Sequence, residues 1–177
     1  MKGSYYRRLE DIRCALAKFE VTALPPNSPA QFVAYYFGAE KLAKAIVGIN
    51  KALPAENAIR RNVDHEDTKF AAREMKLKIS QADLDALFEP QSRLPQPSSA
   101  ITIRNRLSHD FGPTQVGPIR QHAPRLVPIM VKFIGDDIDP VLRHLRTLWT
   151  ASQLRPQLSQ RAAFMQPPRD PLCRPRA

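Results

Sequence analysis

Apolar residues recur at three- and four-residue intervals along most of this chain, the period of one helix face rather than the alternation of a strand. Tyr5, Tyr6, Leu9, Ile12, Leu16 and Phe19 set the pattern over residues 4 to 20, and predict an amphipathic helix that ends before Pro25-Pro26. The next start carries its own punctuation: Ser28 can cap, Pro29 suits the first helical position, and Gln31 completes a capping box. From there Phe32, Tyr35, Tyr36, Ala39, Leu42, Ala43, Ile46, Ile49 and Leu53 hold the period until Pro54 stops it, with Lys41, Lys44 and Lys51 around the polar side. After a polar turn at Arg60, Arg61 and Asn62, a third pattern starts near Asp64-His65-Glu66-Asp67 and runs through Phe70, Ala71, Met75 and Ile79. Ser80 with Asp83 restarts a short helix bearing Leu84, Leu87 and Phe88, and Pro90 ends it.

Residues 90 to 99, rich in proline and serine, read as a loop leading to a helix around residues 104 to 109, which Gly112-Pro113 stops. Gly117-Pro118 opens a further apolar segment with Ile119, Leu126, Val127, Met130, Phe133 and Ile134, in which Pro124 and Pro128 predict a bend or a break. Asp139-Pro140 begins another helix, with Val141, Leu142, Leu145, Leu148 and Trp149. No convincing strand, internal repeat or phosphate-cradling glycine loop interrupts this order. The expectation is an all-α domain over residues 1–150, an antiparallel bundle of five or six helices. Residues 151–177 hold five prolines and five arginines with little apolar periodicity, and read as a disordered tail.

Composition narrows the function classes. A chain of 177 residues, 43% hydrophobic, fills one ordinary domain and excludes two large ones. The net charge of +10 favours polyanionic partners, since lysine and arginine release counterions from a nucleic-acid backbone. Part of that excess sits in residues 151–177, where five arginines and one aspartate give +4 and leave +6 for the rest. Cys14 and Cys173 lie near opposite ends, which argues against a disulfide framework and fits a reducing cytoplasm. Charged residues interrupt the first 24 positions, so no signal peptide is expected, and no segment approaches the roughly 18 apolar residues of a membrane span.

The stretch Ile103-Arg104-Asn105-Arg106-Leu107-Ser108-His109-Asp110-Phe111 concentrates the candidate chemistry. On a helix, Arg104, Asn105, Ser108 and His109 span roughly 140° of circumference at about 100° per residue, and so share a face. Arginine offers a permanently charged fork that pairs with phosphate oxygens, and histidine can exchange a proton near neutral pH. Arg104, Asn105 and His109 are the candidate catalytic residues, with Ser108 and Arg106 as candidate substrate contacts. Two other constellations favour plainer roles. His65, Glu66 and Asp67 point in three directions on a helix, so the acids suit a helix start rather than a metal. The aromatic cluster at 32 to 37 suits core packing better than base stacking.

The spacing Arg104-Asn105-x3-His109 resembles the Arg-x4-His motif of the HEPN family (higher eukaryotes and prokaryotes nucleotide-binding domains), where Asn, Asp or His usually follows the arginine. Asp110-Phe111 extends the match, since relatives often carry an aromatic residue there. The resemblance spans roughly residues 5 to 150 in helix order and is specific at 104 to 111. It implies an endoribonuclease that acts without metal or cofactor, as a homodimer whose two motif helices meet at a two-fold axis. Arg104 would then stabilise the phosphorane, His109 would move a proton, and Asn105 would position the phosphate or the imidazole. It also implies a toxin or defence effector, with a cognate antitoxin or a nucleotidyltransferase-type protein as partner. Some HEPN toxins carry a modifiable tyrosine two residues after the histidine; Phe111 has no hydroxyl, which argues against that control. A different class remains open, a non-catalytic dimeric module that binds protein or nucleic acid. A basic DNA-binding regulator ranks last, because no recognition-helix spacing is evident.

Overall fold

The structure is a computed structural model that describes residues 2–18, 24–90, 98–109 and 116–164, with side-chain surroundings for 4–14, 24–90, 98–107 and 116–148. All regular structure among the described residues is helical: α1 (Lys2–Lys18), α2 (Pro29–Asn50), α3 (Ala55–Arg60), α4 (His65–Glu74), α5 (Gln81–Phe88), α6 (Ala100–His109) and α7 (Val116–Phe164). The all-α class therefore stands, with seven described helices where five or six were expected. The chain divides into two compact units, Met1–Leu145 and Arg146–Ala177. The elements that position the candidate site belong to the first.

Local capping chemistry sets three of the starts. The Ser28 hydroxyl accepts from the Gln31 N–H at 3.2 Å, while the Gln31 side chain accepts from the Asn27 N–H, one residue earlier than in a standard capping box. Asp64 accepts from the Asp67 N–H at 2.8 Å and Ser80 from the Asp83 N–H at 3.1 Å, opening α4 and α5. Glu66 and Asp67 fall in the first turn of α4, where acids complement the helix dipole.

Helix α2 ends at Asn50, before the Pro54 stop, because the chain turns left-handed at Ala52 (φ 52°). The Leu53 N–H then donates to the Gly48 carbonyl at 2.8 Å and the Ala52 N–H to that of Ile49 at 3.1 Å. This is the Schellman arrangement, with alanine in the position that usually holds glycine. Lys76 (φ 53°) ends α4 the same way, its follower Leu77 donating to Ala72 at 3.0 Å. Helix α3, unexpected from the sequence, starts directly after Pro54 and buries Ala55 and Ala58. A Cβ at Gly48 would fall on the Tyr5 hydroxyl and the Ala58 methyl, so the bare backbone there lets α1 and α3 close on α2. Tyr5 donates to the Leu53 carbonyl at 2.9 Å. Burial, with Glu56 nearby, pushes its phenol up to about 12, so it remains a donor.

The expected break at Pro124 or Pro128 and the separate helix from Pro140 do not occur: α7 is one helix of 49 residues. Its buried stripe includes Ile119, Ala123, Leu126, Met130, Phe133, Ile134, Ile138, Val141 and Leu145. Pro124 and Pro128 stand one turn apart on the exposed side, as does Arg120. The carbonyls these prolines leave without a helical donor, those of Arg120 and Pro124, thus belong to residues that face water. The helix also continues through Phe164, into the region expected to be disordered; only Pro156 of that region's five prolines falls before Phe164. Residues 165–177 lie outside the described residues.

Asp137 joins α7 to the α4–α5 connection. Fully buried, its carboxylate accepts from the Lys78 N–H at 2.6 Å and the Ile79 N–H at 3.0 Å. Burial pushes its pKa up, and the two backbone donors only partly oppose this. Asp137→Ala would strip two backbone donors of their acceptor, an expected loss of about 2 kcal/mol at neutral pH once relief of the buried charge is allowed for. Because the folded state holds this proton more tightly than the unfolded chain, the residue's contribution is fully present below the ordinary carboxylate range and is lost as pH rises through its raised pKa. Urea denaturation of wild type and variant across acidic and neutral pH measures both; a penalty that grows with pH would contradict the assignment.

Candidate functional site

Helix α6 is anchored by its apolar face and by its start. Ala100 and Ile103 are buried, and the buried Ser99 hydroxyl donates to the Glu89 carbonyl at 2.7 Å, 2.9 Å from the Thr102 hydroxyl. Arg125 on α7 donates to the Ser98 carbonyl at 2.6 Å. These contacts set which face α6 turns toward α2.

On that face Arg104 meets three residues of α2. Its Nη2 donates to both carboxylate oxygens of Glu40, at 3.3 and 3.2 Å, and its Nη1 to the Asn105 amide oxygen at 2.9 Å. Its Cζ stands 5.7 Å from the Tyr36 ring centroid and 6.0 Å from that of Phe37, within cation–π range. Lys44, one turn along α2, places its Nζ 2.9 Å from Glu40 Oε1. Glu40 is only 8% exposed, so two cations share one buried carboxylate. Burial, and then the Glu40 charge, raise the Tyr36 pKa, against an opposing effect of Arg104, so the phenol stays neutral.

The predicted residues are thus partly placed. Asn105 is exposed and accepts from Arg104; Arg106 is half-buried on the same helix. Ser108 and His109 lie on the described backbone of α6, which puts His109 about 7.5 Å along the axis from Arg104 at 1.5 Å per residue. The side-chain surroundings of Ser108 and His109, and all of Asp110 and Phe111, lie outside the described residues. Of the aromatic cluster, Phe32 and Tyr36 are core, as expected, whereas Phe37 is 46% exposed beside Arg104.

The sequence pattern does not single out Glu40, and Lys44, on the polar side of that pattern, has a side chain only 16% exposed. The signal available was an i,i+4 Glu-Lys pair set among the apolar residues Ala39, Leu42, Ala43 and Ile46.

Outside this site, His65 places Nε2 2.7 Å from Asp85 Oδ1 and Nδ1 3.2 Å from Glu66, and Lys69 pairs with Asp85 at 3.0 Å. That network ties α4 to α5. Among the described residues no group of three or more His, Cys, Asp or Glu could hold a metal ion. No helix among them is long and apolar enough to cross a membrane. No protein-family model, curated protein or solved structure matches the chain.

The Arg104–Glu40 contact yields a measurable coupling. Glu40→Gln would leave Arg104 and Lys44 without their shared counter-charge, and a double-mutant cycle with Arg104→Gln should return a coupling of about 1–2 kcal/mol, between exposed and fully buried pairs. A value below about 0.5 kcal/mol by chemical denaturation would mean the pair does not hold α6 to α2.

Proposed function

We propose that the chain is a metal-independent endoribonuclease of HEPN type, acting as a homodimer in which α6 of each protomer contributes Arg104 and His109. The observation that carries this reading is a guanidinium held on one face of α6, five residues from a histidine on the same helix. In the reaction, a ribose 2′-oxygen bonds to the adjacent phosphorus and the bond from phosphorus to the 5′-oxygen breaks, leaving a 2′,3′-cyclic phosphate and a 5′-hydroxyl. One neutral His109 takes the 2′-hydroxyl proton, and the partner subunit's His109, protonated, gives one to the 5′-oxygen. Arg104 stabilises the charge on the phosphorane, and Asn105 steadies Arg104. Ser108 and Arg106 contact the flanking phosphates. DNA lacks the attacking hydroxyl and resists. The supporting physical context is a basic chain suited to RNA. A toxin or defence role in the cytoplasm, held in check by an antitoxin or a nucleotidyltransferase-type protein, accompanies the family reading.

One observation favours the non-catalytic alternative. Arg104 already has a carboxylate partner in Glu40, as expected of a residue that fastens α6 in an interaction module. The two readings part in a cleavage assay on RNA. His109→Ala should lower the rate at least about 100-fold, the usual contribution of a general acid or base, with no loss of melting temperature. Arg104→Lys should fail nearly as badly, because an ammonium cannot reproduce the planar fork. EDTA should change nothing. Motif-independent cleavage, or strict dependence on added magnesium, would remove the site; binding without any cleavage would select the module.

The composite site also predicts concentration dependence. Activity per chain should fall on dilution through the dimer dissociation range, and sedimentation over the same range should show the dimer parting. Undiminished activity from a monomer would rule out a shared site.

A further inference from the structure

A second feature lies on the α2 surface that meets Arg104. A cavity of about 230 Å³ opens between α2, α3 and the start of α4, lined by the apolar Val47 and Ala58 and the polar Lys44, Arg61, Asn62 and Asp67 among others. Lys44 belongs both to this wall and to the Glu40–Arg104 network, so cavity and candidate site are joined through one side chain. Along α2, Lys44 stands about 6 Å beyond Glu40, at 1.5 Å rise per residue. A strand with its scissile phosphate at Arg104 would extend toward that wall with a flanking nucleotide.

The lining suits a nucleobase. The volume is below the roughly 300–1,000 Å³ of pockets for drug-sized ligands, and fits a small flat group rather than a whole cofactor. Val47, Leu53 and Ala58 give the lining apolar surface for a ring face, and the Asn62 amide offers both a donor and an acceptor to a base edge. The acids are already engaged: Asp64 caps α4 and Asp67 pairs with Lys51. Arg61 is exposed on an extended segment and supplies positive charge for the attached phosphate. We propose that the cavity walled by Lys44, Arg61 and Asn62 binds the base of the nucleotide next to the scissile phosphate, and so sets the sequence preference of cleavage. This rests on the ribonuclease reading above.

The test reads binding apart from turnover. The full-length His109→Ala protein is titrated with each of the four ribonucleoside 5′-monophosphates, and with inorganic phosphate, by calorimetry. Saturable binding of at least one nucleotide, weakened about tenfold by Arg61→Ala and by Asn62→Ala with unchanged melting temperature, is the expected result. In the His109-bearing protein, Asn62→Ala should then change which nucleotide lies beside the cut. The proposal fails if no nucleotide saturates, if both substitutions leave binding untouched, or if phosphate alone binds as tightly as any nucleotide. Nucleotide binding at the cavity with no RNA cleavage by wild type would sink the ribonuclease reading and keep the base site. Motif-dependent cleavage with no nucleotide binding would do the reverse.

Discussion

A carboxylate buried in the middle of α2 constrains everything around it. Helix α2 packs against α1, α3 and α4, and its buried residues run from Phe32 to Ile49, so Glu40 has little access to water. An unpaired charge in such a place costs several kcal/mol, more than any single contact nearby could offset. Two cations answer it: Lys44 from the same helix and Arg104 from α6, sixty-four residues away in the chain. The net stabilisation from such a cluster is small, because all three groups lose solvation on folding. Its consequence is positional. The face of α6 that carries Arg104 must turn toward α2, and by helical geometry the set Asn105, Ser108 and His109 is fixed around that axis.

What was legible in the sequence follows from the range of the physics. Ser28 and Ser80 cap as expected, and Asp64 caps at the expected start of α4, because a cap bonds a backbone N–H three residues on. The helical placement of residues 104 to 109 was likewise readable from local pattern. The ends of α2 and α4 were not, because Ala52 and Lys76 take a left-handed conformation that only glycine or asparagine would have advertised. Helix α3 is too short to display a period, and its existence depends on Gly48 admitting Ala58. The Glu40–Arg104 pair was illegible for a third reason: nothing in a single sequence links two charges so far apart.

Helix α7 shows the limit of reading proline as a stop. A proline removes one hydrogen bond and crowds the carbonyl four residues back, a cost that falls when that carbonyl can find water. Pro124 and Pro128 occupy one exposed stripe, while the opposite stripe from Ile119 to Leu145 is buried almost without interruption. Burial on that scale outweighs the local penalties of Pro124, Pro128 and Pro140. The buried Asp137 adds a polar anchor on the same stripe, by accepting from the backbone before Ser80. The apolar register was readable; its dominance over the prolines required knowing which side faced out.

Pairing with glutamate alone would leave the arginine's charge cancelled, since one carboxylate and one guanidinium sum to zero. The third member changes the sign. With Lys44 and Arg104 on a single Glu40, the cluster carries a formal net +1, a sign that favours an anion over a cation. The carboxylate holds the guanidinium in one orientation, so less rotamer entropy would be lost on binding a phosphate. The Tyr36 and Phe37 rings lie within cation–π range of the same group and restrict it further. An exposed, unpaired arginine would bind phosphate with more freedom and less direction. The same cluster thus fastens α6 to α2 and leaves a preoriented positive charge, so the ion pair is compatible with the proposed phosphate contact as well as with a purely structural one.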